Sequence, residues 1–117
     1  MIHHQANTLP TTLAERFARF HADSPQVYDT LCTLARQWVT VTGRRRLGIA
    51  TLYERARWEL AISTSDPDFK LNNSYRAYYA RLIMVQETDL RGLFEIRKSE
   101  ADESIGRIPH LVRRGLL

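Results

Sequence analysis

Between Ser24 and Gly43 the apolar residues Val27, Tyr28, Leu31, Leu34, Ala35, Trp38 and Val41 recur at intervals of three and four, with Asp29, Thr33, Arg36 and Gln37 opposite them. That period belongs to one face of an α-helix and not to a strand. Ser24 followed by Pro25 supplies an N-cap and a first-turn proline, and Gly43 a left-handed C-terminal cap. The β-branched run from Val39 to Thr42 weakens only the last turn. A helix this long with one apolar face has to be covered by other elements, and the rest of the chain supplies further helices to do it.

The preceding segment opens with Thr12 and Glu15 at capping-box spacing, places Leu13, Phe17 and Phe20 on one face, and ends near Asp23. After the turn a third helix is expected over roughly Leu47 to Ile62. Ile49, Leu52, Tyr53, Ala56 and Leu60 form its main face, and Trp58 and Ile62 project from the other side. Two apolar sides predict a central helix. The stretch from Ser63 to Asn73 contains Ser65-Asp66-Pro67 and reads as a loop anchored by Phe69 and Leu71. Asn73 then caps a fourth helix from Ser74 to about Gln86, buried through Tyr75, Tyr78, Tyr79, Leu82 and Ile83. Leu90, Leu93, Phe94 and Ile96 make a short cluster that fits either a helical turn or a strand.

The expected fold is therefore an all-α bundle of four main helices, one domain over residues 1–98, with a short extra element near residue 94. A loosely held tail is expected over 99–117, where acidic residues precede Ile108-Pro109. A helix-turn-helix or winged-helix variant stays open, the latter if the Phe94 cluster is a strand. The loop from Ser63 to Asn73 is too long for a standard helix-turn-helix, which turns in about three or four residues. The connection between the second and third helices is shorter and carries the arginine triplet.

At 117 residues the chain has room for one core and not two. No apolar run is long enough to span a membrane and residues 1–10 lack the centre of a secretory signal, so a cytoplasmic location and no membrane partner are expected. Cys32 is the only cysteine, which leaves no intrachain disulfide. No metal or other cofactor is expected, because His3, His4, His21 and His110 show no paired-ligand spacing. Nor does the chain look like an enzyme. Cys32 falls within an amphipathic helix and reads as an inert small apolar residue, His21 with Asp23 and Ser24 lacks the geometry of a triad, and the five glycines are scattered rather than gathered in a phosphate loop.

Charge is the more informative signal. The formal net charge is +4, and Arg36, Arg44, Arg45, Arg46, Arg55 and Arg57 gather before residue 60, while Glu87, Asp89, Glu95, Glu100, Asp102 and Glu103 come later. If the fold keeps this segregation in space, a positive face results. Arg44, Arg45 and Arg46 beside a helix N-terminus suit phosphates, since guanidiniums and open backbone N–H groups both attract anions; a solvated loop is the plainer account. Lys70, Asn73, Arg76 and Arg81 form an acid-free stretch resembling the first turn of a major-groove reader, although capping alone explains the asparagine. Tyr75, Tyr78 and Tyr79 match a core face better than a base-stacking one. Trp58, turned away from Ala56 and Leu60 and grouped with Arg55 and Ile62, is ordinarily expected in the core; exposed, it would have the composition of a protein-binding hot spot.

The runs from Val27 to Gly43, from Leu52 to Trp58, from Lys70 to Asn73 and from Tyr79 to Arg81 resemble small helical proteins of phage and mobile-element genomes, over about residues 15 to 98. The resemblance carries no assigned activity. It implies a setting in which small proteins regulate transcription or block a host enzyme such as a defence nuclease. Two functions are thus expected. The first is DNA binding, with phosphate contacts from Arg44, Arg45, Arg46, Lys70, Arg76 and Arg81. The alternative is a helical module, such as an inhibitor or adaptor, that sets Trp58 with Arg55, Ile62 and the arginine triplet against an acidic protein surface or a nucleic-acid site on an enzyme. A homodimer through the apolar C-terminal tail, Leu111 to Leu117, is a further expectation.

Overall fold

A computed structural model describes residues 12–96. They form four α-helices and two 3₁₀ turns with no strand: α1 Leu13–Asp23, α2 Pro25–Thr42, α3 Ile49–Ser63 and α4 Arg76–Gln86, with 3₁₀ turns at Asn73–Tyr75 and Thr88–Leu90. The expected tail over 99–117, and any dimer made through it, lie outside the described residues.

Local signals set most of the boundaries. Thr12 Oγ1 accepts from Glu15 N and Glu15 Oε1 from Thr12 N, both at 3.1 Å, closing the capping box of α1. Pro25 opens α2, but the Ser24 side chain makes no capping hydrogen bond, so the proline alone marks that start. Gly43 ends α2 with φ 71°, a conformation a β-carbon would disfavour, and its N–H bonds Val39 O at 2.9 Å.

One core joins all the helices. Phe17 of α1 is enclosed by the rings of Tyr75, Tyr78 and Tyr79, the last edge-on at 4.8 Å between centroids. Val27, Tyr28, Leu31, Cys32 and Ala35 of α2 meet Leu52, Tyr53, Ala56 and Leu60 of α3 in the same core. The most enclosed helix is α4. Tyr78, Tyr79, Ala80, Arg81, Leu82 and Ile83 are all buried in succession, which in a helix means burial on every side.

This overturns the expectation that α3 is central. Its second apolar side is solvent-facing, with Trp58 66% and Ile62 70% exposed. Val41, expected on the buried face of α2, is 75% exposed, because the buried residues of α2 stop at Ala35 and its last turns overhang the core.

Two further expectations are corrected. Asn72, not Asn73, caps the fourth helical segment, its Oδ1 accepting from Ser74 N at 2.8 Å. The cluster around Phe94 is not a strand: after the 3₁₀ turn the chain bends through Gly92, at φ 80°, to bury Leu93 and Phe94, and Leu93 O accepts from Leu47 N at 3.0 Å. Without a strand there, the described residues offer no wing for a winged helix.

The loop between α3 and α4 is pinned from α3. Tyr53 Oη donates to Asn72 O at 2.7 Å, Arg57 Nη1 donates to Leu71 O at 2.6 Å, and Arg57 Nη2 donates to Asn73 Oδ1. Leu71 is buried and Phe69 half-buried against Phe20, as anchors should be.

Candidate protein-interaction surface

Thr51, Arg55, Trp58 and Ile62 follow one another along α3 at steps of four, three and four, so they share one stripe. The stripe faces away from the buried Leu52, Tyr53, Ala56 and Leu60. Within it Arg55 Nε lies 3.1 Å from Glu59 Oε2, one turn on, which balances the arginine locally. Thr51 and Arg55 also line a cleft of about 440 Å³ between α2 and α3, together with Leu34, Trp38, Val41 and Leu47. The three most exposed large apolar side chains among the described residues, Val41, Trp58 and Ile62, therefore belong to one connected region: Val41 at the cleft and the other two further along the α3 stripe.

The turn at 43–48 carries the arginine triplet, and each of its three arginines has a partner nearby. Trp38 Nε1 donates to Arg46 O at 3.1 Å, and the Arg44 guanidinium sits 5.9 Å from the centroid of the Trp38 ring. Arg45 Nη2 donates to Asp89 O at 2.8 Å, and Arg46 Nη2 lies 3.6 Å from Glu95 Oε1. Next to them Arg36 grips Asp89 through two hydrogen bonds and Glu87 through a third at 2.7 Å, while Tyr28 Oη donates to the other oxygen of Glu87 at 2.7 Å. Hydrogen bonding from Arg36 holds the Asp89 carboxyl below its ordinary value and raises the guanidinium of Arg36 above its own. Burial, reinforced by the hydrogen bond to Glu87, pushes the Tyr28 hydroxyl well above the usual tyrosine range.

The fold thus lays the acids at 87, 89 and 95 against the arginines at 36, 45 and 46, and the charge segregation seen along the sequence is not kept in space. The second basic group is also dispersed. Arg81 is only 7% exposed, with Nη1 donating to Ala77 O at 3.1 Å, so little of it is offered to a phosphate on the surface. Asn73, Arg76 and Arg81 do line one cleft of about 460 Å³, but Glu95 lines it too. Lys70 lines a different cleft, beside Arg57, Phe69 and Leu71.

Among the described residues no three His, Cys, Asp or Glu side chains are placed to hold a metal ion, and no helix is long and apolar enough to cross a membrane. Cys32 is buried. Sequence reasoning named Trp58, Ile62 and Arg55 but missed Val41 and Glu59. Glu59 was legible as the i,i+4 partner of Arg55; Val41 was hidden by its regular place in the apolar period of α2.

Fold and surface together define a small four-helix domain with an exposed aromatic and aliphatic seam on one helix. Compared with family models, with curated proteins and with solved structures, the chain matches none.

Proposed function

We propose that the chain is a cytoplasmic protein-interaction module, without catalysis of its own, that binds through the outward stripe of α3 and the adjoining α2–α3 cleft. The observation that carries this reading is the exposure of Trp58 beside Arg55 and Ile62, on a helix whose opposite face is fully buried. A side chain such as Trp58 left in water forgoes roughly 1.5–3 kcal/mol available on burial, and tryptophan and arginine are the residue types that dominate binding energy at protein interfaces. An adaptor or an inhibitor of a host enzyme, the setting implied by the likeness to phage proteins, needs no more than such a face.

A photo-reactive phenylalanine analogue placed at position 58 tests this in cells that make the protein, with the same analogue at the exposed Arg19 of α1 as control. Adducts to polypeptide from position 58 and none from position 19 support the reading. No polypeptide adduct from position 58 refutes it.

DNA binding through Arg44, Arg45, Arg46, Lys70 and Arg76 is the second reading. It is favoured by the exposure of the triplet just ahead of α3, whose N-cap is Gly48 and whose first N–H groups have no side-chain cap. Acids set among the arginines weaken it. It requires duplex binding that falls steeply with salt and is lost when the three arginines become alanine.

A further inference from the structure

We infer that the partner of the α3 stripe is a second copy of this chain, docked antiparallel about a twofold axis that passes between Arg55 and Trp58. The inference rests on the reading of that stripe as an interaction surface.

Three features of the stripe favour self-association over other occupants. First, the steps of four, three and four from Thr51 to Ile62 are those of the seam between two packed helices. Second, the seam is self-complementary. A twofold axis at its midpoint brings each Arg55 opposite the partner's Trp58 and each Ile62 opposite the partner's Thr51. Arg55 and Trp58 are about 4.5 Å apart along the helix axis, so the two crossings are adjacent. The guanidinium is planar, so Arg55 can keep Glu59 on its edge while its face stacks on the partner's indole. Val41 lines the cleft next to Thr51, and so it meets the same end of the partner helix that carries Ile62. All three of the most exposed large apolar side chains are then covered by one symmetric contact.

Third, charge complementarity selects this occupant. Glu59 already balances Arg55, so the stripe has no excess positive charge to attract nucleic acid or a strongly acidic partner. Two copies meet without net repulsion, and each arginine gains an aromatic face. The seam is one helix face and a shallow cleft, so the dimer is expected to dissociate on dilution through the micromolar range.

Sedimentation of the purified full-length chain over that range tests the inference. The result expected is a monomer–dimer equilibrium, weakened about tenfold or more by Trp58→Ala and likewise by Ile62→Glu, each with unchanged helical circular dichroism. Register is tested by mixing a Thr51→Cys chain with an Ile62→Cys chain under mild oxidation. The mixed disulfide should form in preference to either homodisulfide, and Cys32 is too buried to compete. A chain that stays monomeric at every concentration, a dimer indifferent to both substitutions, or homodisulfides in excess overturns the inference. Adducts from position 58 that join it to a different polypeptide overturn the second-copy partner while leaving the interaction reading intact; the absence of any polypeptide adduct removes both.

Discussion

Arg36 on α2 holds Asp89 through paired hydrogen bonds, Nε to Oδ2 at 2.8 Å and Nη2 to Oδ1 at 2.9 Å, and so fastens the segment after α4 to the outside of α2. The same guanidinium reaches Glu87, which in turn accepts from the buried Tyr28. A charge cluster at the rim is thereby tied to the core.

Replacing Arg36 by methionine should cost about 1 kcal/mol, more than a lone surface pair because Asp89 loses both bonds from the guanidinium and Glu87 loses one of its donors, and the loss should shrink at high salt. The pH dependence has a definite sign. Asp89 is held below its ordinary value, so its contribution is fully present above the ordinary carboxylate range and is lost as the pH falls through the lowered value. Chemical denaturation across acid pH should show a shallower loss of stability in Arg36→Met than in the parent. Identical profiles would mean that the clamp contributes nothing.

The tyrosines offer a matched pair. Tyr53 donates its hydroxyl hydrogen to Asn72 O at 2.7 Å, whereas the Tyr79 hydroxyl is buried and makes no hydrogen bond among the described residues. Tyr53→Phe should destabilise by about 1 kcal/mol, removing one of the two donors to Asn72 O and leaving only Tyr75 N, while Tyr79→Phe should be neutral or stabilising by up to about 1 kcal/mol. Thermal melts of the two variants read the difference directly, and equal destabilisation would contradict this assignment.

Gly43 is held at φ 71° with open space around its α-carbon, so the cost of a side chain there is backbone strain and not a clash. Gly43→Ala should lower stability by about 1 kcal/mol and Gly43→Asn by less, since asparagine tolerates the left-handed region. A melt in which asparagine is the worse of the two would show that something other than the dihedral sets the preference.

Trp58→Ala should leave the fold as it is, within about 0.5 kcal/mol by denaturation, as expected of an exposed position. Binding to whatever covers α3 should fall by 2 kcal/mol or so, the usual size of a hot-spot truncation. Loss of helical signal in this variant would place the indole in the core after all.

Much of the architecture was legible in the chain. Thr12 with Glu15, Pro25 and Gly43 act through backbone geometry within a few residues, and their signals survive whatever packs around them. Tertiary relationships were less legible. Arg81 reads as a surface cation, yet it sits in α4 among Ala80, Leu82 and Ile83, and only the arrangement of the other helices decides that α4 is enclosed. Trp58 presents the reverse case: its type argues for burial, and its exposure follows from α3 lying at the edge of the bundle. The acids at 87, 89 and 95 are distant in sequence from Arg36 and Arg46, so no local pattern announces that a bend at Gly92 and the burial of Leu93 and Phe94 fold them back together.

The central claim is that the α3 stripe is covered by protein where the chain works, and hydroxyl-radical oxidation of its two tryptophans addresses it most directly. Trp58 should oxidise readily in dilute purified protein and be protected several-fold inside cells that make it, and the half-buried Trp38, which lines the adjoining cleft, should be protected with it. Equal oxidation of Trp58 in the two settings would mean that the stripe stays in water, and the account of α3 as a binding face would be wrong.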